Sequence, residues 1–255
     1  MLSNAARITE APLRSLDVRS DVIAKRLSAF VGLTEEEISF LRLAGSRPPS
    51  HWRPNTLIED PASDPAALLY VISGWAARVR EVKGGRRQIV QLILPSDVLS
   101  PHIHVCHRSQ SVLSLTRVQT VSGGPIRIAA RDRGRFPGIS AATDMAAAHD
   151  RALLMDQVVR LGQQTALERL ANLFLELHYR CSTVGLVNNA SFAFPLTQQH
   201  LGDLVGLSVV HVNRMLQILR QKGLICLKQG RLTLLNLPGL SDIAAFEPPK
   251  LEYCS

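Results

Sequence analysis

The sequence predicts an α+β chain in which a β-rich N-terminal half is joined by one long helix to a mostly helical C-terminal third. Three observations lead there. Between about residues 48 and 135, Gly and Pro punctuate short runs such as LLYVISGWAARVREV, RRQIVQLIL and SVLSLTRVQTV, which is the texture of strands. From about residue 139 the chain turns alanine-rich, with apolar residues at alternating spacings of four and three. After residue 166 it reads as amphipathic helices, two of them flanking a glycine, followed by a compact hairpin.

Composition sets the outer bounds. With 255 residues, 46% of them hydrophobic, the chain can bury a substantial core. No apolar run reaches the roughly 18–20 residues that span a bilayer, so no membrane partner is expected. The first 20 residues lack a secretory apolar region and are read as a mobile arm, with the cytoplasm as the expected compartment. Cys106, Cys181, Cys226 and Cys254 lie too far apart for a C-x-x-C framework, and reduced thiols are expected. The net charge of +8 favours an anionic partner, nucleic acid first.

The elements follow in order. Residues 21–137 form the first domain. VIAKRLSAFVGLTEEEISFLRLA reads as two short helices, the second opened by a capping box of Thr34 and Glu37. Polar and apolar residues alternate in ARVREV, and KGG at 83–85 turns that strand into RRQIV, so a β-roll is expected. The basic side chains of this hairpin, Arg78, Arg80, Lys83, Arg86 and Arg87, are read as a solvated face.

Residues 138–163 form the long helix. Ala141, Met145, Ala148, Ala152, Met155, Val159 and Gly162 make a heptad seam, and small residues on such a seam let two helices approach closely. The expectation is a homodimer joined through Met145, Ala148, Ala152, Met155 and Val159, with Leu154, Val158 and Leu161 packing on the roll. The alternative is a helix buried within one domain.

Residues 164–245 carry the most specific signal, and 246–255 are read as a tail. In TALERLANLFLELHYR, Leu167, Leu170, Leu173, Phe174 and Leu177 share a face. In TQQHLGDLVGLSVVHVNRMLQILRQKGLI, Thr197 can cap a helix that buries Leu201, Leu204 and Val205, and Gly206 supplies a tight turn. Ser208 then caps a second helix that buries Val212, Met215, Leu216 and Leu219 and ends at Gly223. That is a helix-turn-helix. Its outward residues, Val209, Val210, His211, Asn213, Arg214 and Gln217, are free to meet base edges, with Thr197, Gln198 and Ser208 near the entry. Asn can pair with adenine, Arg with guanine, and a Val methyl can touch that of thymine. LICLKQGRLTLLN adds a hairpin turning at Gln229-Gly230, a wing with Lys228 and Arg231 at its tip. Seven Lys or Arg against three Asp or Glu between residues 166 and 235 suit phosphate contacts to double-stranded DNA.

A β-roll, a long helix, ALERLANLFLEL and LTQQHLGDLVGLSVVHVNRMLQILRQKGLI together resemble the Crp/Fnr family of bacterial transcription regulators over most of the chain. The resemblance implies a cyclic-nucleotide-binding-like sensor domain, pairing through the long helix, and a dimer reading a two-fold symmetric operator. It also implies RNA polymerase as a partner if the chain activates. Departures narrow it. Many members carry Arg-Glu-Thr or Val-Glu-Thr where this chain has Val209, Val210 and His211, so the glutamate that accepts from cytosine is absent. Arg214 aligns with the family's reading arginine, and Asn213 stands where others have Ser or Gly. The Gly-Glu pair of cyclic-AMP binders is missing from LPSDVLSPHIHVCHRSQSVLSL, where Pro95 and Asp97 echo only the strand-end turn and Arg108-Ser109 only part of the phosphate step. Cyclic AMP is therefore not expected. Iron-sulfur members need an N-terminal cysteine cluster, and no cysteine precedes Cys106, so no iron-sulfur cluster is expected either.

One cluster stays open. His102, His104, Cys106 and His107 could offer ligands to zinc or haem iron, or Cys106 a redox thiol; the favoured alternative is a surface turn occupying the emptied nucleotide pocket, with no metal. Catalysis is not expected, since Cys106 with His104 or His107 has no identified oxyanion donors. The functional expectation is a sequence-specific DNA-binding regulator; the rival is a ligand-binding or protein-interaction module without specific DNA readout.

Overall fold

The computed structural model describes residues 21–58, 68–99, 110–244 and 246–248. The N-terminal arm and the His102–His107 cluster lie outside the described residues. Helix α1 covers residues 21–28 and α2 spans Glu35–Gly45. Strands β1 (Ser50–Trp52), β2 (Leu69–Ser73), β3 (Ala76–Val82), β4 (Arg86–Ile93), β5 (Val98–Leu99), β6 (Gln110–Ser114) and β7 (Val118–Ser122) follow. Short α3 (Gly124–Arg131) leads into the 27-residue α4 (Pro137–Gln163). The C-terminal part contains α5 (Ala166–Thr183), β8 (Ser191–Ala193), α6 (Gln198–Val205), α7 (Val209–Gln221), β9 (Ile225–Lys228), β10 (Arg231–Leu234) and α8 (Leu237–Ala244). No helix among the described residues is long and apolar enough to cross a membrane.

The strands form two antiparallel sheets, β1-β7-β2-β5 and β4-β3-β6, facing each other as an open roll rather than a closed barrel. Two of the apolar runs are each two strands. LLYVISGWAARVREV breaks at Gly74, whose φ of 84° is unfavourable for any side chain, and whose added Cβ would lie 2.2 Å from the Arg117 carbonyl oxygen. SVLSLTRVQTV breaks at that same contact, so both chains cross from one sheet to the other where they nest. Ile58, Val71, Ala76, Ile93, Leu99, Val112 and Val118 fill the space between the sheets. The other side of the first sheet, with Tyr70, Ile72 and Val121, packs on Ile23, Leu27, Leu41, Ile126 and Ile139 of the helices.

Glu37 ties these helices to the long one. Its carboxylate closes the α2 capping box on Thr34 and also accepts from the backbone N–H groups of Gly138 and Ile139, at 2.7 and 3.1 Å. Burial works against its charge, but these backbone donors outweigh it and hold the carboxyl below its ordinary value. One carboxylate thus serves two helix N-termini.

The C-terminal core is continuous with the outer face of the second sheet. Trp75, Val79, Ile89 and Leu92 join Phe174, Phe192, Phe194, Leu204 and Leu216 in one buried cluster, with the Trp75 and Phe194 rings edge-to-face at 6.3 Å. Beside it runs a buried ionic joint. Arg180 of α5 donates to the Leu92 carbonyl at 2.9 Å, to Asp97 and to Glu176. Arg26 of α1 pairs with the same Asp97 and with Asp150 of α4. Arg160 of α4 bridges to Glu176 and to Asn172 of α5. Burial would raise Glu176, yet Arg160 and Arg180 hold it below the usual carboxylate range.

This joint changes the expected orientation of α4. The side turned to the rest of the chain is Ala142, Ala146, His149, Leu153, Gln157 and Arg160, all buried, whereas Val158 is 67% exposed and Leu154 and Leu161 are only half-buried. The hydrophobic pattern misassigned that face because half of the residues it buries are polar and find their partners across the joint.

Candidate nucleic-acid interface

α6 and α7 are set by three local devices. Thr197 accepts from the His200 N–H at 3.1 Å while its own N–H donates to His200 Nδ1 at 3.3 Å, a capping box with histidine in place of the usual Glu or Gln. Burial and then the nearby Arg87 lower the His200 pKa, which keeps that ring nitrogen an acceptor. Gly206 takes the left-handed turn at φ 68°, and its N–H bonds the Gly202 carbonyl. Gly202 itself lies beneath that turn, where an added Cβ would sit 2.6 Å from the Leu207 carbonyl oxygen. Ser208 accepts from the His211 N–H at 3.3 Å and starts α7. Val212, Met215, Leu216 and Leu219 are buried against α5, as their spacing predicts.

The opposite side of α7 is open. Val210 is 81% exposed, and Val209, His211, Arg214 and Gln217 are exposed with it. Arg214 meets no carboxylate among the described residues. Asn213 is half-buried rather than fully outward, and its Oδ1 accepts from the Gln198 amide at 3.5 Å, which links α6 to the reading face. Thr197 and Ser208 are exposed at the two helix entries, where N–H groups and partial positive charge favour phosphate.

β9 and β10 pair Lys228 with Arg231 around Gln229 and Gly230, both at positive φ (51° and 69°), a tight two-residue hairpin turn. β8 adds a third strand. Lys228 projects from the tip, but the Arg231 guanidinium is drawn back along the sheet, donating to the Ser191 hydroxyl and carbonyl at 3.2 and 3.1 Å. Of the two basic wing residues, only Lys228 is without such a tether among the described residues.

Residues of the sensor hold this head from behind, and sequence reasoning missed them. Arg87, expected on a solvated face, makes two hydrogen bonds to the Asp203 carboxylate of α6 at 2.8 and 3.0 Å. Gln88 and Gln157 both donate to the Leu204 carbonyl, at 3.2 and 2.7 Å, and Arg169 donates to that of Val205 at 3.0 Å. The last carbonyls of α6 lack helical partners, so these donors satisfy groups that would otherwise be orphaned. The signal present in the sequence was a glutamine on the apolar side of α4, three residues before Arg160.

A capped pair of helices around a left-handed glycine, backed by a wing and presenting an uncharged and basic face, defines a DNA-binding protein. Residues 168–243 match the Crp-like helix-turn-helix domain. The nitrogen fixation regulation protein FixK of Azorhizobium caulinodans is 27% identical over 173 residues, covering 67% of this chain and 68% of that protein. The transcriptional regulatory protein btr of Bordetella pertussis is 24% identical over 76% of this chain and 80% of its own length. Among solved structures, FixK2 of Bradyrhizobium japonicum superposes with a TM-score of 0.63 at 24% identity, over 78% of this chain and 98% of FixK2. The chain belongs to the Crp/Fnr family of transcription regulators, and α6, α7 and the wing are its DNA-binding module.

Proposed function

We propose that two copies of this chain, joined along α4, read a two-fold symmetric operator, with each α7 in a major groove. The observation that carries the pairing is the open end of the seam. Met155 is 70% exposed, Val159 54%, and Val158, which joins them, 67%. Met145, Ala148 and Ala152 are already half-buried within one chain and continue the stripe. An apolar strip at heptad spacing on a 27-residue helix, about 40 Å long at 1.5 Å per residue, suits a second copy of itself.

Arg214 and Asn213 carry the base readout, Val209 and Val210 contact thymine methyls, and His211 and Gln217 flank them. Thr197, Gln198, Ser208, Lys228 and Arg231 position the backbone. The regulator performs no catalysis in this reading, and its signal is something other than cyclic AMP, in keeping with the missing Gly-Glu pair. Sedimentation of the wild-type chain and of Met155→Asp/Val159→Asp tests the pairing together with operator binding. The expected result is a dimer that becomes a monomer and loses at least about 100-fold in DNA affinity as the second half-site is forfeited. A variant that stays dimeric rejects this seam.

A further inference from the structure

The described residues contain one large cavity, of about 810 Å³, on the helix side of the first sheet. It is not the space inside the roll, which the cluster around Val71, Leu99 and Val112 fills. Its walls come from β2, β5, the N-terminal half of α4, α3 and α1, and its size lies within the range of small-molecule sites.

Its charge is lopsided. Among the described residues six arginines line it against two aspartates. The aspartates are taken: Asp150 pairs with Arg26, and Asp144 with Arg133 at 3.6 Å. Arg127 and Arg131, one helical turn apart on α3, and Arg151 on α4 meet no carboxylate among the described residues. Arg127 is half-buried, so part of its hydration is already lost. Leu68, Val98, Ile126 and Leu154 supply an apolar floor. Tyr70, with its ring buried, also lines the wall, and burial lifts its hydroxyl to about 12, so it offers a proton to an acceptor at neutral pH.

Uncompensated guanidinium groups beside an apolar floor select a ligand that has both an anionic head and an apolar body. We propose that this cavity binds a small amphipathic organic anion, its charged group held by Arg127, Arg131 and Arg151 and its body lying on Leu68, Val98 and Ile126. The site has a direct route to the reading head. Asp150 and Arg26, on its wall, lead through Asp97 to Arg180, and Arg180 anchors α5 beneath α7. This inference goes beyond the DNA-binding reading and is measured without DNA.

The test titrates the full chain with 1-anilinonaphthalene-8-sulfonate, an aromatic anion, and with N-phenyl-1-naphthylamine, which has the same body and no charge. Saturable binding of one sulfonate per chain is expected, tighter than that of the neutral probe. Arg127→Gln/Arg131→Gln/Arg151→Gln should weaken the sulfonate at least about 30-fold, since each charge-assisted contact contributes several-fold or more, and leave the neutral probe unchanged. Ala147→Trp, a lining position outside the core, keeps the charges and fills the space, and should weaken both probes. The proposal is overturned if the wild-type chain binds no sulfonate saturably, if the neutral probe binds as tightly, or if both variants retain full sulfonate affinity. Operator affinity of the same preparations is read separately, so a failure of DNA binding and a failure of the cavity show in different titrations.

Discussion

The reading head and the joint behind it are built on opposite terms. In α6 and α7, apolar residues at helical spacing are buried, caps sit where Thr197 and Ser208 stand, and the remaining face is left to solvent. In the joint, helices α1, α4 and α5 meet through Arg26, Asp97, Arg160, Glu176 and Arg180, all nearly buried. The first arrangement folds by local rules and is exchangeable. The second holds only while every charge has its partner, which makes it suited to registering a change in the sensor and costly to disturb.

The contrast can be broken from the joint side first. Glu176→Leu leaves Arg160 and Arg180 buried without their shared carboxylate and should destabilise the chain by about 3–5 kcal/mol, read by denaturant unfolding. The same group gives a pH dependence. Because the folded Glu176 pKa lies below its model value of 4.5, its stabilisation is present above about pH 4.5 and is lost as pH falls through the folded value. Acid unfolding of the wild type should therefore begin at the joint, with Trp75 fluorescence changing before the α6–α7 helical signal.

The head should respond more mildly. Gly202→Val drives a side chain into the Leu207 carbonyl and should cost about 1–3 kcal/mol, seen as a lower unfolding midpoint. Ser208→Ala removes one cap and should cost about 1 kcal/mol. Smallest in stability is Arg87→Ala, a partly exposed pair with Asp203 worth at most about 1 kcal/mol. Its informative readout is hydrogen exchange, which should rise in α6 and in the β3–β4 hairpin while α8 stays unchanged.

What was legible in the sequence divides along the same line. Period and turn chemistry revealed the roll, the Thr34–Glu37 box, the helix-turn-helix and the wing turn, because each depends on residues close in sequence. Sequence missed what depends on distant polar partners. Gln157 and Arg160 read as interruptions of an apolar stripe although they are the buried side of α4, and Arg87 read as solvated although it reaches α6. The crossing of both long apolar runs between sheets turns on one glycine meeting one carbonyl, which no periodicity reports. For the reading face, exposure follows the predicted pattern at Val209, Val210, His211, Arg214 and Gln217, while Asn213 and Arg231 have protein partners that spacing alone could not reveal.

The central claim is that α7 reads sequence as one half of a symmetric pair. Selection of fragments from a random DNA pool, at a fixed salt concentration, tests it most directly for the wild type and for Asn213→Ala/Arg214→Ala. The account predicts a palindrome with half-sites about one turn, roughly 34 Å, apart, and loss of that preference in the double variant, as two contacts of about 1–3 kcal/mol each disappear. A pool that yields no preferred sequence, or a double variant that still selects the wild-type palindrome, would contradict it.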